Sequence, residues 1–312
     1  MEATTPTSTG SPATPHLPPP LRATATDLPA AVAVALETAA PDLAGARSAV
    51  VDSGGIPWAT WSWGDSAAAP LLLLHGVTSN ADTFWRVGPA VAAAGRLVVA
   101  LELPGHGRTG HWQGRHRFSE TASDVVAYVR AAGLEEGRLA VLGHSWGALV
   151  TAALPAAGLR PERLLLMDPP ALPVSVMELM TRDPLERPFE RFDAALAAIE
   201  GANPGWPEGD IRAKARGLTQ FDPDAVLAIL LENGDWDGGL AALADPAARD
   251  IPTWAIVGES RTGSMVPDAV LPILAARIGA DHVLRIADGP HSPQRLYPEA
   301  TVLAILRALE LA

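Results

Sequence analysis

The stretch Leu139-Ala140-Val141-Leu142-Gly143-His144-Ser145-Trp146-Gly147-Ala148-Leu149-Val150 decides how this chain is read. Its first four residues are all apolar, as expected of a short buried strand, and the segment from Trp146 onward has the character of a helix. Between them lies Gly143-His144-Ser145-Trp146-Gly147, a G-x-S-x-G pattern. Five residues of this kind recur by chance. Between a strand and a helix, however, they describe a turn so tight that no side chain fits beside the serine, hence the two glycines. The turn lifts the hydroxyl above the sheet edge, at a helix N-terminus whose free amides favour developing negative charge. Ser145 is the candidate nucleophile.

A serine hydroxyl is a weak nucleophile and needs a base, which in turn needs an orienting carboxylate. The base is expected to be His291, in Asp288-Gly289-Pro290-His291-Ser292-Pro293 between the last predicted strand and the final helix. From that loop an imidazole can reach the C-terminal edge of the sheet. Two carboxylates end predicted strands and could serve: Asp168, after Arg163 to Met167, and Glu259, in Val257-Gly258-Glu259-Ser260-Arg261. The order serine, acid, histidine suits either. A buried strand Leu71 to Leu74 ends in His75-Gly76-Val77, where Gly76 lets the backbone turn an amide toward a reacting carbonyl. The backbone amides of Val77 and Trp146 are the expected oxyanion donors.

Outward from these motifs, the chain from Ser48 alternates short apolar runs with amphipathic stretches. Strands are predicted at 49–52, 59–63, 71–75, 97–101, 139–142, 163–167, 253–257 and 283–286, with helices between them, notably at 119–132, 146–156, 268–278 and 298–311. Alternation of this kind argues for an open α/β sheet with helices on both faces. Residues 169–250 break the rhythm: helical segments and turns occur there without a convincing strand, which predicts a helical insertion. The first twenty residues hold six prolines and seven serines or threonines, so residues 1–25 are expected to form a disordered leader. A short helix is expected within 28–40.

The chain has 312 residues, with 23 Lys plus Arg against 35 Asp plus Glu, a net charge of −12. An acidic surface without a basic patch argues against nucleic acid and anionic membrane as partners. No apolar run approaches the length that spans a bilayer, and Glu2 with a Pro-rich opening does not resemble a secretory signal, so a cytoplasmic protein is expected. Cysteine is absent and Lys214 is the only lysine, which removes thiol nucleophiles and disulfides and confines any amine chemistry to one residue. No cofactor and no metal is expected. His106, His111 and His116 are interleaved with Arg108, Arg115 and Arg117, which would repel a cation, and are read as loop surface near a pocket mouth.

Four motifs in fixed order, the His75-Gly76 strand end, Leu103-Pro104-Gly105-His106-Gly107, the Gly143 to Gly147 turn and Pro290-His291-Ser292-Pro293, resemble those of the α/β-hydrolase superfamily from about Ser48 to the C-terminus. The resemblance implies an α/β-hydrolase fold with a mostly parallel eight-stranded sheet. It implies a catalytic domain of residues 26–168 and 251–312, interrupted by a helical cap at 169–250 that sets substrate choice. It also implies that the Gly105-His106-Gly107 loop is architectural, with His106 satisfied by backbone partners. One departure matters. The superfamily's usual acid position after the seventh strand is Arg261 here, and residues 260–266 hold no carboxylate. Some branches place the acid after the sixth strand, where Asp168 stands, which favours Asp168 over Glu259.

A serine at the turn excludes the dehalogenase and epoxide hydrolase branches, which need an aspartate there; Tyr128 and Tyr297 also lie outside the insertion. The expected function is hydrolysis of small or medium uncharged carboxylic esters through an acyl-enzyme on Ser145, by a monomer or homodimer. The alternatives are cleavage of a carbon–carbon bond, amide or lactone on the same residues, or a silent receptor that uses the pocket only for binding. In the insertion, Met177, Met180, Phe189, Phe192, Phe221, Leu230, Trp206 and Trp236 are expected to serve more as its own core than as substrate wall.

Overall fold

Five-residue apolar runs cannot stand alone; they become strands when neighbours supply the backbone hydrogen bonds and helices cover both faces. The computed structural model, which describes residues 16–110 and 115–312, arranges them in that way. The strands are β1 (Arg47–Ser53), β2 (Ile56–Trp63), β3 (Pro70–Leu74), β4 (Leu97–Leu101), β5 (Ala140–His144), β6 (Arg163–Met167), the two-residue β7 (Ala171–Leu172) and β8 (Trp236–Asp237), then β9 (Thr253–Val257) and β10 (Val283–Arg285). Eight form one sheet in the order β1-β2-β4-β3-β5-β6-β9-β10. Strands β1 and β2 pair antiparallel, as do β2 and β4, and every other pairing is parallel. All eight predicted strands are present, with β3 and β5 fully buried along their length.

The helices are α1 (Ala30–Glu37), α2 (Val87–Ala93), α3 (Phe118–Ala131), α4 (Trp146–Ala153), α5 (Val174–Met180), α6 (Phe192–Ala202), α7 (Glu208–Leu218), α8 (Pro223–Leu231), α9 (Leu240–Leu243), α10 (Leu271–Ile278), α11 (Pro293–Leu296) and α12 (Pro298–Ala308). Alternate residues of β3 divide between the two faces. Leu71 and Leu73 join the core under α1, α2 and α12, whereas Leu72 and Leu74 join the one under α3 and α4. The period-2 alternation of strand side chains requires this split.

Helices α5 to α8 lie between β6 and β9, in the stretch predicted to be helical. The two ends of the excursion are tied by the β7–β8 pair, so the chain leaves and re-enters the sheet at one place. Helices α6 and α7 enclose a small core of Ala195, Ile199, Ile211, Ala215 and Leu218. Met177 on α5 and Ile229 and Leu230 on α8 are buried with Trp146 in the core of the sheet's α3/α4 face.

The expected leader needs one correction. Residues 1–15 lie outside the described residues, but 16–25 do not form a free tail. Leu21 bridges to Ile286 beside β10, Arg22 pairs with Asp288 at 2.7 Å, and Pro18 O accepts from Arg285 at 2.7 Å. The exposed edge of β10 offers unpaired backbone groups, and this segment satisfies some of them. Among the described residues no helix is long and apolar enough to cross a membrane.

Leu73 is fully buried at the centre of the sheet. Leu73→Ala is expected to lower the unfolding free energy by about 3 kcal/mol, read as a shift of the urea midpoint at unchanged slope. An unchanged midpoint would contradict this placement of the core.

Candidate active site

Strands β5 and β6 end at the same edge of the sheet, so Ser145 and Asp168 start as neighbours. Ser145 has φ 56° and ψ −123°, outside the ordinary regions for a residue with a side chain. Close packing holds it there. A Cβ on Gly143 would sit 2.0 Å from Gly147 O, and one on Gly147 would sit 2.4 Å from Leu74 O. Thus both glycines of the pattern are required, one so that β5 and α4 can meet and the other so that α4 can approach β3. Gly76 is required by the serine itself, since a Cβ there would come within 2.9 Å of Ser145 Cβ.

Asp168 is fully buried and also has positive φ, 45°. Its Oδ1 accepts from Gly258 N at 2.9 Å and Ser264 Oγ at 2.6 Å, and its Oδ2 from Met265 N at 2.9 Å and His291 Nδ1 at 2.6 Å. Four donors compensate the carboxylate for the water it has lost. With Nδ1 donating, the far nitrogen of the ring, Nε2, faces Ser145 Oγ at 2.9 Å. The structure therefore brings Ser145, His291 and Asp168 into one hydrogen-bonded line. Glu259 is not part of it: its carboxylate pairs with Arg261 and accepts from Asp288 N at 3.1 Å.

The Val77 and Trp146 amides, the expected oxyanion donors, have no acceptor within hydrogen-bonding distance among the described residues. Val77 lines a cavity of about 390 Å³ together with Ser145 and His291. Met180 and Trp206 reach this cavity from the insertion, whereas Met177 and Trp236 are core and Phe189 and Phe192 pack on the α6/α7 core.

Three contributors were not assigned a role from sequence, and a fourth, Lys214, was named there only as the one site for amine chemistry. His144 Nε2 donates to His291 O at 2.9 Å, tying the turn to the histidine's own loop. Ser264 supports Asp168. Lys214 is buried on α7; its Nζ donates to Glu186 at 2.6 Å and to Thr78 Oγ1 at 2.9 Å, which anchors the insertion to the Val77-Thr78 loop. Arg295 on α11 lines the same cavity. Each lies far in sequence from what it touches, and no local pattern marks it.

The reading of the histidines as loop surface is corrected. His106 is fully buried and His116 is 7% exposed, while His111 lies outside the described residues. His106 Nδ1 donates to Pro104 O at 3.2 Å, but among the described residues its Nε2 has no partner and the ring lies beside Trp146 and Phe221, so backbone satisfies only half of it. His75 donates from Nδ1 to Gly76 O at 2.8 Å and accepts Leu103 N on Nε2 at 3.0 Å, a pattern that only the neutral ring can make. Burial lowers the His75 pKa to about 4, and His106 and His144 are also held well below the ordinary value by burial.

Residues 71–304 match the family model described as "Alpha/beta hydrolase family". The chain is similar to "Lipase LipV" of Mycobacterium tuberculosis, 28% identical over 262 residues that cover 79% of this chain and 95% of that one. It is also similar to the dihydrolipoyllysine-residue acetyltransferase component of an acetoin cleaving system from Pseudomonas putida, 36% identical over 101 residues. That match spans 32% of this chain and about a quarter, 26%, of the relative's length. Among solved structures, E-2-(acetamidomethylene)succinate hydrolase superposes with a TM-score of 0.72 at 20% identity, over 85% of this chain and 99% of that one.

The buried neutral histidines predict acid sensitivity. The unfolded chain takes up protons at His75 near its ordinary 6.5, whereas the folded protein refuses them until about 4, so stability falls as pH drops through that window. Glu102, pushed up to about 7 by burial, binds a proton in the fold above its ordinary 4.5 and works in the opposite direction. Urea titrations across the window are expected to show a falling midpoint on acidification, with a steeper fall in Glu102→Gln. A wild-type midpoint that rises would contradict the neutral assignment.

Proposed function

The chain belongs to the alpha/beta hydrolase family, and from the geometry of its site we propose that it is a serine hydrolase acting on carboxylic esters. The single observation that carries this reading is the line Ser145 Oγ, His291, Asp168, with 2.9 Å and 2.6 Å between successive partners. A receptor that used the pocket only for binding would need neither contact.

In the proposed reaction His291 Nε2 takes the Ser145 proton as Oγ attacks the ester carbonyl carbon. The carbonyl π pair moves onto oxygen, where in this proposal the Val77 and Trp146 backbone amides receive the charge. Collapse of this tetrahedral intermediate expels the alcohol, which leaves with the proton from His291, and the acyl group remains on Ser145. Water, deprotonated by the same nitrogen, then attacks the acyl-enzyme; its collapse releases the acid and returns the proton to Ser145. Asp168 stays ionised and holds Nδ1–H, which keeps Nε2 free as the base. The cavity of about 390 Å³ is within the range of small-molecule sites. Separation of the cavity into sheet-edge and insertion walls supports the proposed division into a catalytic domain and a cap at 169–250.

A fluorophosphonate probe is expected to label the wild-type chain at Ser145 and to leave Ser145→Ala unlabelled; an unreactive serine in folded protein would overturn the enzyme reading. With a chromogenic short-chain ester, Asp168→Asn is expected to lower kcat by about 10⁴-fold, while Glu259→Gln keeps turnover within a few-fold of wild type. Near-normal turnover in Asp168→Asn would overturn the proposed acid.

A further inference from the structure

The protein is acidic overall, yet two of its cations line the cavity that holds Ser145. Their circumstances differ. Lys214 has spent its donors: Glu186 and Thr78 Oγ1 take two N–H groups and Thr78 O lies at 3.5 Å. Its charge is matched by Glu186. Arg295 is 9% exposed, and among the described residues its guanidinium has neither a hydrogen bond nor an ion pair. It lies over the ring of Trp206, 4.3 Å from the centroid.

The two carboxylates whose charge acts on Arg295, Asp210 and Glu186, make their hydrogen bonds and ion pairs with other groups. Asp210 is held by Arg86 and by Trp85 Nε1 at 3.2 Å, and Glu186 by Lys214. Arg86 further donates to Arg295 O at 2.7 Å, which fixes the backbone from which the guanidinium projects. Its nitrogens are not sealed from solvent but border the cavity, so the donors they hold without a protein acceptor are open to a bound anion. A guanidinium presents a fork of donors that fits a carboxylate in two parallel bonds. Glu186 and the rim residue Asp183 also line the cavity, which disfavours a ligand of higher negative charge such as a phosphate dianion.

Resting on the acyl-enzyme reading of Ser145, we infer that the ester carries a carboxylate, read by Arg295 across the shared cavity with Trp206 holding the guanidinium in place. This replaces the uncharged esters expected from sequence. Lys214 serves the same end indirectly, since it neutralises Glu186 and so removes a repulsive charge from the wall.

The test uses the full chain and two matched pairs: 4-nitrophenyl hydrogen glutarate against its methyl ester, and 4-acetoxyphenylacetate against its methyl ester, each corrected for spontaneous hydrolysis. The expected result is a kcat/KM for the acidic member of at least one pair about ten-fold or more above the neutral member. Arg295→Gln should lower that acidic-to-neutral ratio by about 30-fold, and Arg295→Lys should restore part of it. Free glutarate should also bind the Ser145→Ala protein, measured by calorimetry, and lose that binding in Ser145→Ala/Arg295→Gln. Fluorophosphonate labelling with no acidic preference and no glutarate binding overturns the carboxylate subsite and leaves the serine hydrolase reading intact. Glutarate binding that depends on Arg295, without labelling, supports the subsite and overturns the acyl-enzyme.

Discussion

The position of Ser145 depends on a contact between backbones. Strand β5, helix α4 and strand β3 approach so closely that side chains at Gly143 and Gly147 would overlap carbonyl oxygens, and the serine between them is left with a positive φ. The surrounding sheet holds a conformation that costs on the order of 1–3 kcal/mol for a residue with a side chain. From that fixed point the remainder follows. The hydroxyl projects from the sheet edge, α4 points its free amides at the same place, and β6 ends beside it with Asp168. The distant loop that carries His291 is drawn in by Asp168 from one side and His144 from the other.

Asp168 shows how a buried charge becomes a positioning device. It is fully buried, and its two oxygens accept from Gly258, Ser264, Met265 and His291, so segments following β9 and β10 converge on one carboxylate. Loss of its charge would leave donors without an acceptor on two separate loops. The insertion is anchored by similar means. Lys214 bonds Glu186 and Thr78, and a Cβ on Gly217 would lie 2.9 Å from Thr78 O, so α7 rests directly on the loop that carries Val77. Phe221 bridges to His106, and Gly105 O accepts from Asp222 N at 2.8 Å. Helix α7 is thereby a fixed wall of the cavity.

The strands were legible because short apolar runs ending at glycine or a turn have one stable fate once helices cover them, and all eight of 49–52 through 283–286 lie in the sheet. Ser145 and Asp168 were legible because they directly follow strands β5 and β6, and His291 because it lies in the loop between β10 and the next helix, where topology gathers residues at one sheet edge. The histidines were misread for the opposite reason. His106 and His116 stand among arginines in sequence, yet both are buried, and burial is a property of what packs over a segment. Residues 16–25 carry the composition of a tail, and the nearby free edge of β10 gives them backbone partners that composition does not register.

The linear sequence by itself determined the sheet, the strained turn and the residue types of the candidate site, because periodicity, glycine spacing and strand ends are local properties of the chain. Only the tertiary structure decided between Asp168 and Glu259 as the neighbour of His291, since both end strands at the same edge and only the direction of each side chain separates them. It likewise decided that Lys214 and Arg295 share one cavity with Ser145, that Glu186 satisfies the first, and that the second is left over Trp206 without an acceptor among the described residues. Charge is written in the sequence. Whether a charge is matched depends on which distant side chains surround it, and the folded arrangement alone fixes that.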